Sequence, residues 1–64
     1  MDYTKRFLNA HDVAEYMDIS VPKAYEIIRK LNDQLDKKGY ITVAGKISRI
    51  FFEERVYGVV TENR

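Results

Sequence analysis

Apolar residues recur at helical spacing in two consecutive stretches of this chain. Val13, Ala14 and Met17 share one side of a first segment, and Ala24, Ile27, Ile28, Leu31 and Leu35 form one stripe along a second. Between them the break Met17-Asp18-Ile19 interrupts the period. The pattern predicts helices over residues 10–17 and 21–38, locked together by Val13, Ala14, Met17, Ile19, Ala24 and Ile27. The small Ala14 sits where the second helix must approach closely. Local signals mark the ends. Asn9 is a good N-cap with Asp12 three residues on as its capping-box partner, and Leu8 and Val13 are spaced as a hydrophobic staple. Ser20 caps the second helix, Pro22 lies in its first turn where no N–H is needed, and Gly39 ends it after Lys37 and Lys38. Asp18 occupies the tight turn, where the backbone turns left-handed and Asp is tolerated better than most residues.

After Gly39 the period changes. Tyr40-Ile41-Thr42-Val43 favours an extended strand, Ala44-Gly45 marks a turn, and Lys46-Ile47 resumes, so residues 40–47 read as a short β-hairpin. A two-residue turn sets Val43 opposite Lys46. One residue more sets Val43 opposite Ile47 on the buried face, and this longer turn is preferred because a register slip sends apolar side chains to water. Ser48 caps a third helix over 49–57, stopped by Gly58, with Ile47 and Phe52 as a second staple. Phe51, Phe52, Val56 and Tyr57 cover more than one face. Most are assigned to the core under the hairpin and any left outside to a protein contact. Tyr3 and Phe7 are expected on the core edge, and residues 59–64 as a tail or brief added strand.

Length and composition narrow the function classes. A single 64-residue domain, here 1–64, has a thin core with no room for a sizeable pocket. It contains no cysteine and one histidine. Disulfides, thiolate metal sites and cysteine nucleophiles are excluded, and His11 reads as an exposed first-turn residue. There is no phosphate-cradling glycine loop, and Glu53-Glu54 are helix neighbours pointing about 100° apart, unable to share one catalytic face. Neither an enzyme nor a cofactor or metal site nor a small-molecule substrate is expected. Apolar runs are too short for a membrane span, and the first residues carry no apolar leader core, so a cytosolic protein is expected.

Net charge is only +1, but its distribution is uneven. Residues 21–50 hold seven basic side chains (Lys23, Arg29, Lys30, Lys37, Lys38, Lys46, Arg49) against three acidic ones (Glu26, Asp33, Asp36), whereas residues 1–20 hold two against four. The excess lies on the second helix and the segment after it, which suits one face presented to phosphates. Two short helices around a tight turn are the layout of a helix-turn-helix, whose second helix enters a DNA major groove. With a hairpin after it, the fold class is mainly α with a small β-hairpin, a winged helix-turn-helix. The outward face of the second helix carries Ser20, Pro22, Lys23, Tyr25, Glu26, Arg29 and Lys30. Arg29 suits guanine O6 and N7, Lys23 and Lys30 suit phosphates, and Glu26 suits cytosine N4 or else repels phosphate. Gly45 and Lys46 at the hairpin tip, with Arg49 beyond it, form the second candidate contact. A solvated charged face and a hairpin that merely closes the core fit the same pattern.

The residues so reached resemble small winged-helix DNA-binding proteins of the excisionase family, related to the DNA-binding module of MerR-type regulators. The resemblance spans about residues 8–58. It rests on Asp12-Val13-Ala14 with Ile19-Ser20, on Ala24-Tyr25-Glu26-Ile27-Ile28-Arg29-Lys30-Leu31-Asn32, on Gly39-Tyr40-Ile41-Thr42 with Gly45-Lys46-Ile47, and on Phe52-Glu53-Glu54-Arg55-Val56-Tyr57-Gly58. It looks like chains of bacterial prophages and integrative elements, and implies a bacterial cytoplasmic protein, nucleoid-associated when bound. Such proteins bind repeated sites on double-stranded DNA, bend it, and help an integrase run the excision direction; some regulate transcription instead. Carried over by position, Lys23, Glu26 and Arg29 fall where the family's second helix faces the groove, and Gly45 and Lys46 at its wing tip. Asp18 and Glu26 depart from the more usual glycine and basic residue.

One helix and one wing bury on the order of 600–1,000 Å², too little for a lone copy to select one site in a genome. Neighbouring copies on adjacent sites, or an integrase, are therefore expected partners. The chain ends soon after the third helix, without the long dimerisation helix of a ligand-sensing MerR-type regulator, which favours a recombination accessory role. A repressor of a mobile element with the same binding mode, and a protein-interaction module on a winged-helix fold, are the alternatives.

Overall fold

The computed structural model describes residues 5–57. Its elements are β1 (Phe7–Asn9), α1 (Ala10–Met17), α2 (Val21–Lys37), β2 (Lys46–Ser48) and α3 (Arg49–Tyr57). Three helices and a two-stranded antiparallel sheet make a small winged-helix-like fold.

Capping chemistry sets the helix ends. The Asn9 side chain accepts from the Asp12 amide at 2.8 Å while Asp12 Oδ2 accepts from the Asn9 amide at 3.1 Å, a closed capping box. Asp18 closes α1 in the left-handed region (φ 58°, ψ 51°), its N–H donating to Ala14 O, and the Ile19 N–H donates to the same carbonyl at 3.0 Å. Ser20 Oγ accepts from the Lys23 amide at 3.3 Å, with Pro22 in the first turn of α2. At the far end Gly39 takes φ +90°. Its N–H donates to Asp36 O at 2.9 Å and that of Tyr40 to Leu35 O at 3.0 Å, the paired bonds of a Schellman motif.

Leu8, Ala10, Val13, Ala14, Ala24, Ile28, Leu31, Leu35, Ile47 and Phe52 form the core, and the Tyr16 ring meets Phe52 edge-on at 5.1 Å. Ala24 is fully buried and Ala14 nearly so, letting α1 and α2 pack backbone-close, while Ile19, Val21 and Ile27 fill the margin. Met17, expected in this interface, is 37% exposed, because it is the last residue of α1 and lies past the crossing.

The hairpin departs from expectation in two ways. First, β2 pairs with β1, in register Phe7↔Ser48, Leu8↔Ile47 and Asn9↔Lys46. The stretch 7–9, expected as core edge, staple and cap, is therefore also a strand, and residues 40–42 are not one. Second, the turn is the two-residue one. Val43 bridges Lys46, and the Lys46 N–H donates to Val43 O at 3.0 Å, so the preferred pairing of Val43 with Ile47 is corrected. Ile47 does reach the core, but by opposing Leu8, and Val43 is left half-exposed. Gly45 has φ +80° and Ala44 a negative φ, the pattern of a type II turn. That turn type splays its strands, which accounts for pairing that stops at a single bridge.

In α3 the Phe51 amide donates to Ser48 Oγ at 3.3 Å, Phe52 is fully buried, and Lys38 Nζ (5.8 Å) and Arg55 Cζ (5.5 Å) both lie over the Phe51 ring. Arg55 also donates to Gln34 on α2. Val56, one of the four residues of which most were expected in the core, is 37% exposed, and Phe7 faces outward because the neighbouring Leu8 takes the inner side of β1. Tyr3, the side chain of Tyr57, Gly58 and residues 59–64 lie outside the described residues.

Candidate nucleic-acid interface

The free face of α2 and the turn at Ala44-Gly45 stand side by side. Pro22, Lys23, Tyr25, Glu26, Arg29 and Lys30 are all exposed, while the opposite stripe of the same helix is buried. Gly45 rests against the ring of Tyr25, where an added Cβ would meet Cε1 at 3.8 Å. Lys46, next along, is exposed too. The structure thus brings eight of the ten candidate residues, Pro22 to Lys30 and Gly45-Lys46, to the surface of α2 and the turn beside it.

The other two are set apart. The Ser20 hydroxyl is committed to capping α2. Arg49 opens α3, about 13 Å from Gly45 along an extended chain. It is partly buried with its Nε shielded from solvent, and its backbone N–H donates to Arg6 O at 2.8 Å.

Electrostatics divide this surface. The groove between α2 and the turn is lined by Arg29 but also by Glu26, Asp33 and Asp36. The lysines stand around it, and Lys23 Nζ lies 3.5 Å from Glu26 Oε1, one turn along the same helix. Both partners are more than half exposed, so the pair adds little to stability. It sets a positive charge beside the carboxylate of Glu26 on the exposed face of α2.

Three residues outside the set of candidate contacts hold the arrangement. Asn32 Nδ2 donates to Val43 O at 3.2 Å and to Lys46 O at 2.9 Å, joining α2 to both arms of the turn. Thr42 Oγ1 donates to Asp36 Oδ1 at 2.8 Å one helical turn further on. A polar residue at three-residue spacing after Arg29, facing a turn with unpaired carbonyls, was the available signal for Asn32. On the remote side, Lys5 Nζ bonds Asp12 at 3.0 Å. Burial opposes ionisation of Asp12, but the Asn9 amide and the Lys5 ammonium outweigh it, and the carboxyl titrates below its ordinary range.

A second exposed surface flanks the turn. Phe7, Tyr40, Ile41, Val43 and Ile50 surround a shallow apolar groove, with Ile41 93% and Ile50 74% exposed. Among the described residues no helix is long and apolar enough to cross a membrane, and no cluster of His, Asp and Glu could hold a metal ion.

A helix-turn-helix followed by a short projecting turn defines a small winged-helix-like protein. More narrowly, the chain belongs to the excisionase family: it is 44% identical over 48 residues to the ICEBs1 excisionase of Bacillus subtilis (strain 168), an alignment covering 75% of this chain and 75% of that protein. No family model and no solved structure matches it.

Proposed function

We propose that this protein binds double-stranded DNA as a recombination directionality factor, acting as an accessory rather than a catalyst. The first turns of α2 enter the major groove, and the tip at Gly45-Lys46 meets the adjacent backbone or minor groove. What carries this reading, beyond the relationship to an excisionase, is the close juxtaposition of the exposed α2 face and the turn, with Tyr25 against Gly45. Arg29 reads a guanine edge, Lys23, Lys30 and Lys46 meet phosphates, and Pro22, Tyr25 and Glu26 border the groove floor. Ser20 contributes through the helix start it caps, and Arg49 from the flank.

Copies bind adjacent sites, because a single module of this size covers on the order of 600–1,000 Å² and supplies too little selectivity alone. The exposed apolar surface at Phe7, Ile41 and Ile50 flanks the wing, and so faces along the duplex toward the next site; a second copy of this chain is its proposed occupant. An integrase that cuts and rejoins the same DNA completes the assembly.

The test is a footprint on the attachment and promoter regions of the mobile element, with binding measured over a salt series. Log affinity should fall linearly with log[salt], with a slope near −0.9 per phosphate contacted. Protection of the attachment region supports recombination control. Protection confined to a promoter points to a repressor with the same binding mode, and no protection with salt-insensitive protein binding defeats the DNA reading.

A further inference from the structure

We propose that Asn32 is a positioning residue: its amide holds the wing tip at a fixed distance from the groove-facing side of α2, so that the two candidate DNA contacts act as one rigid unit. Both of its partners are carbonyl oxygens, so only the amide nitrogen can face them, and its two hydrogens are used on the two residues that flank the turn Ala44-Gly45. Asn32 lies three residues after Arg29, on the same side of the helix. The residue aimed at the groove and the clamp on the wing are therefore neighbours on one face.

The clamp matters because little else orders the tip. The turn has one bridge, Val43 to Lys46, and residues 40–42 have no strand partner. β2 is anchored through β1 on the far side, Gly45 lies against the Tyr25 ring, and the arm that precedes the turn is tied to α2 by Thr42 to Asp36 and, at its base, by the Tyr40 N–H to Leu35 O. Without Asn32 the tip pivots about a splayed turn, and Lys46 loses its set distance from Arg29. Its bonds are solvent-accessible, so water replaces them at small cost to the fold. The residue's importance is thus for geometry more than for stability.

The DNA consequence rests on the binding mode proposed above, and the test separates the two. The chain has no cysteine, so Glu15→Cys and Ala44→Cys, both at exposed positions, place two unique spin labels on α1 and the wing tip. The expected distance distribution is narrow in the parent and broad in Asn32→Asp, whose carboxylate repels both carbonyls, and in Asn32→Ala, which carries both readouts should Asn32→Asp not fold. On DNA, both variants should keep methylation protection in the major groove and lose hydroxyl-radical protection on the wing flank. Affinity should fall by roughly three- to tenfold, the worth of one or two hydrogen bonds. A merely structural residue would weaken both protections together. An unchanged distance distribution, or flank protection retained in both variants, overturns the proposal. A parent that protects no DNA defeats the binding reading, and the label distances still decide whether Asn32 clamps the tip.

Discussion

Leu8 and Ile47 face each other across the two-stranded sheet, and neither exposes any of its side chain. This one pair ties the start of the chain to the arm that leaves the wing, beneath α2 and beside Phe52. Ile47→Ala should cost about 2–5 kcal/mol in urea unfolding, since the cavity opens in a core with few residues to collapse into it. Small domains hold total stabilities only a few times larger, so the variant should be partly unfolded at 37 °C.

Asp12 predicts how the fold responds to acid. Its folded pKa lies below the ordinary value of 3.8, so its ionised form stabilises the native state. That contribution is fully present above about pH 4 and is lost as pH falls through the lower, folded pKa. Asp12→Asn should therefore be less stable than the parent at pH 7, and the gap should close below pH 4. Chemical denaturation across a pH series reads this directly, and a gap independent of pH would assign the effect to packing.

Asp18 holds a left-handed backbone that suits glycine better (φ 58°). Its side chain is exposed. Asp18→Gly should be neutral to stabilising by up to about 1 kcal/mol, while Asp18→Val should destabilise by about 1–2 kcal/mol through its branched Cβ. Thermal unfolding of the two variants side by side gives the comparison.

Arg29 and Lys46 should fail differently on DNA. Arg29→Ala should cost about 1–3 kcal/mol and relax preference at one base pair, whereas Lys46→Ala should weaken all sequences alike and reduce the salt slope by about one. Binding to a set of single-base variants of the protected site distinguishes them. Unaltered binding by Arg29→Ala would remove α2 from the groove.

Ile41 is the most exposed large apolar side chain of the described residues, and it sits on the wing's flank. Ile41→Asp should leave single-site affinity nearly unchanged but abolish cooperative filling of adjacent sites, seen as a return to independent binding curves. Loss of single-site binding instead would place Ile41 at the DNA.

How much of this was legible beforehand depends on the range of the interaction. Helix ends follow from contacts within four residues, and Asn9, Asp12, Asp18, Ser20 and Gly39 declare them by their own chemistry. The buried stripe of α2 follows from its period, and with it the exposed face carrying Arg29 and Lys30. Relations between distant residues were not written in any local pattern. Nothing near Ile47 says that its partner is Leu8 rather than Val43, because either pairing hides the same side chain. The choice falls to the three-dimensional packing, where β1 lies against β2 and the type II turn splays the other arm. The acidic floor of the groove and the grip of Asn32 on Lys46 arise the same way. Single residues along the chain determined what each helix would bury; only the folded whole decided which strand met which, and what therefore stands beside the face left open.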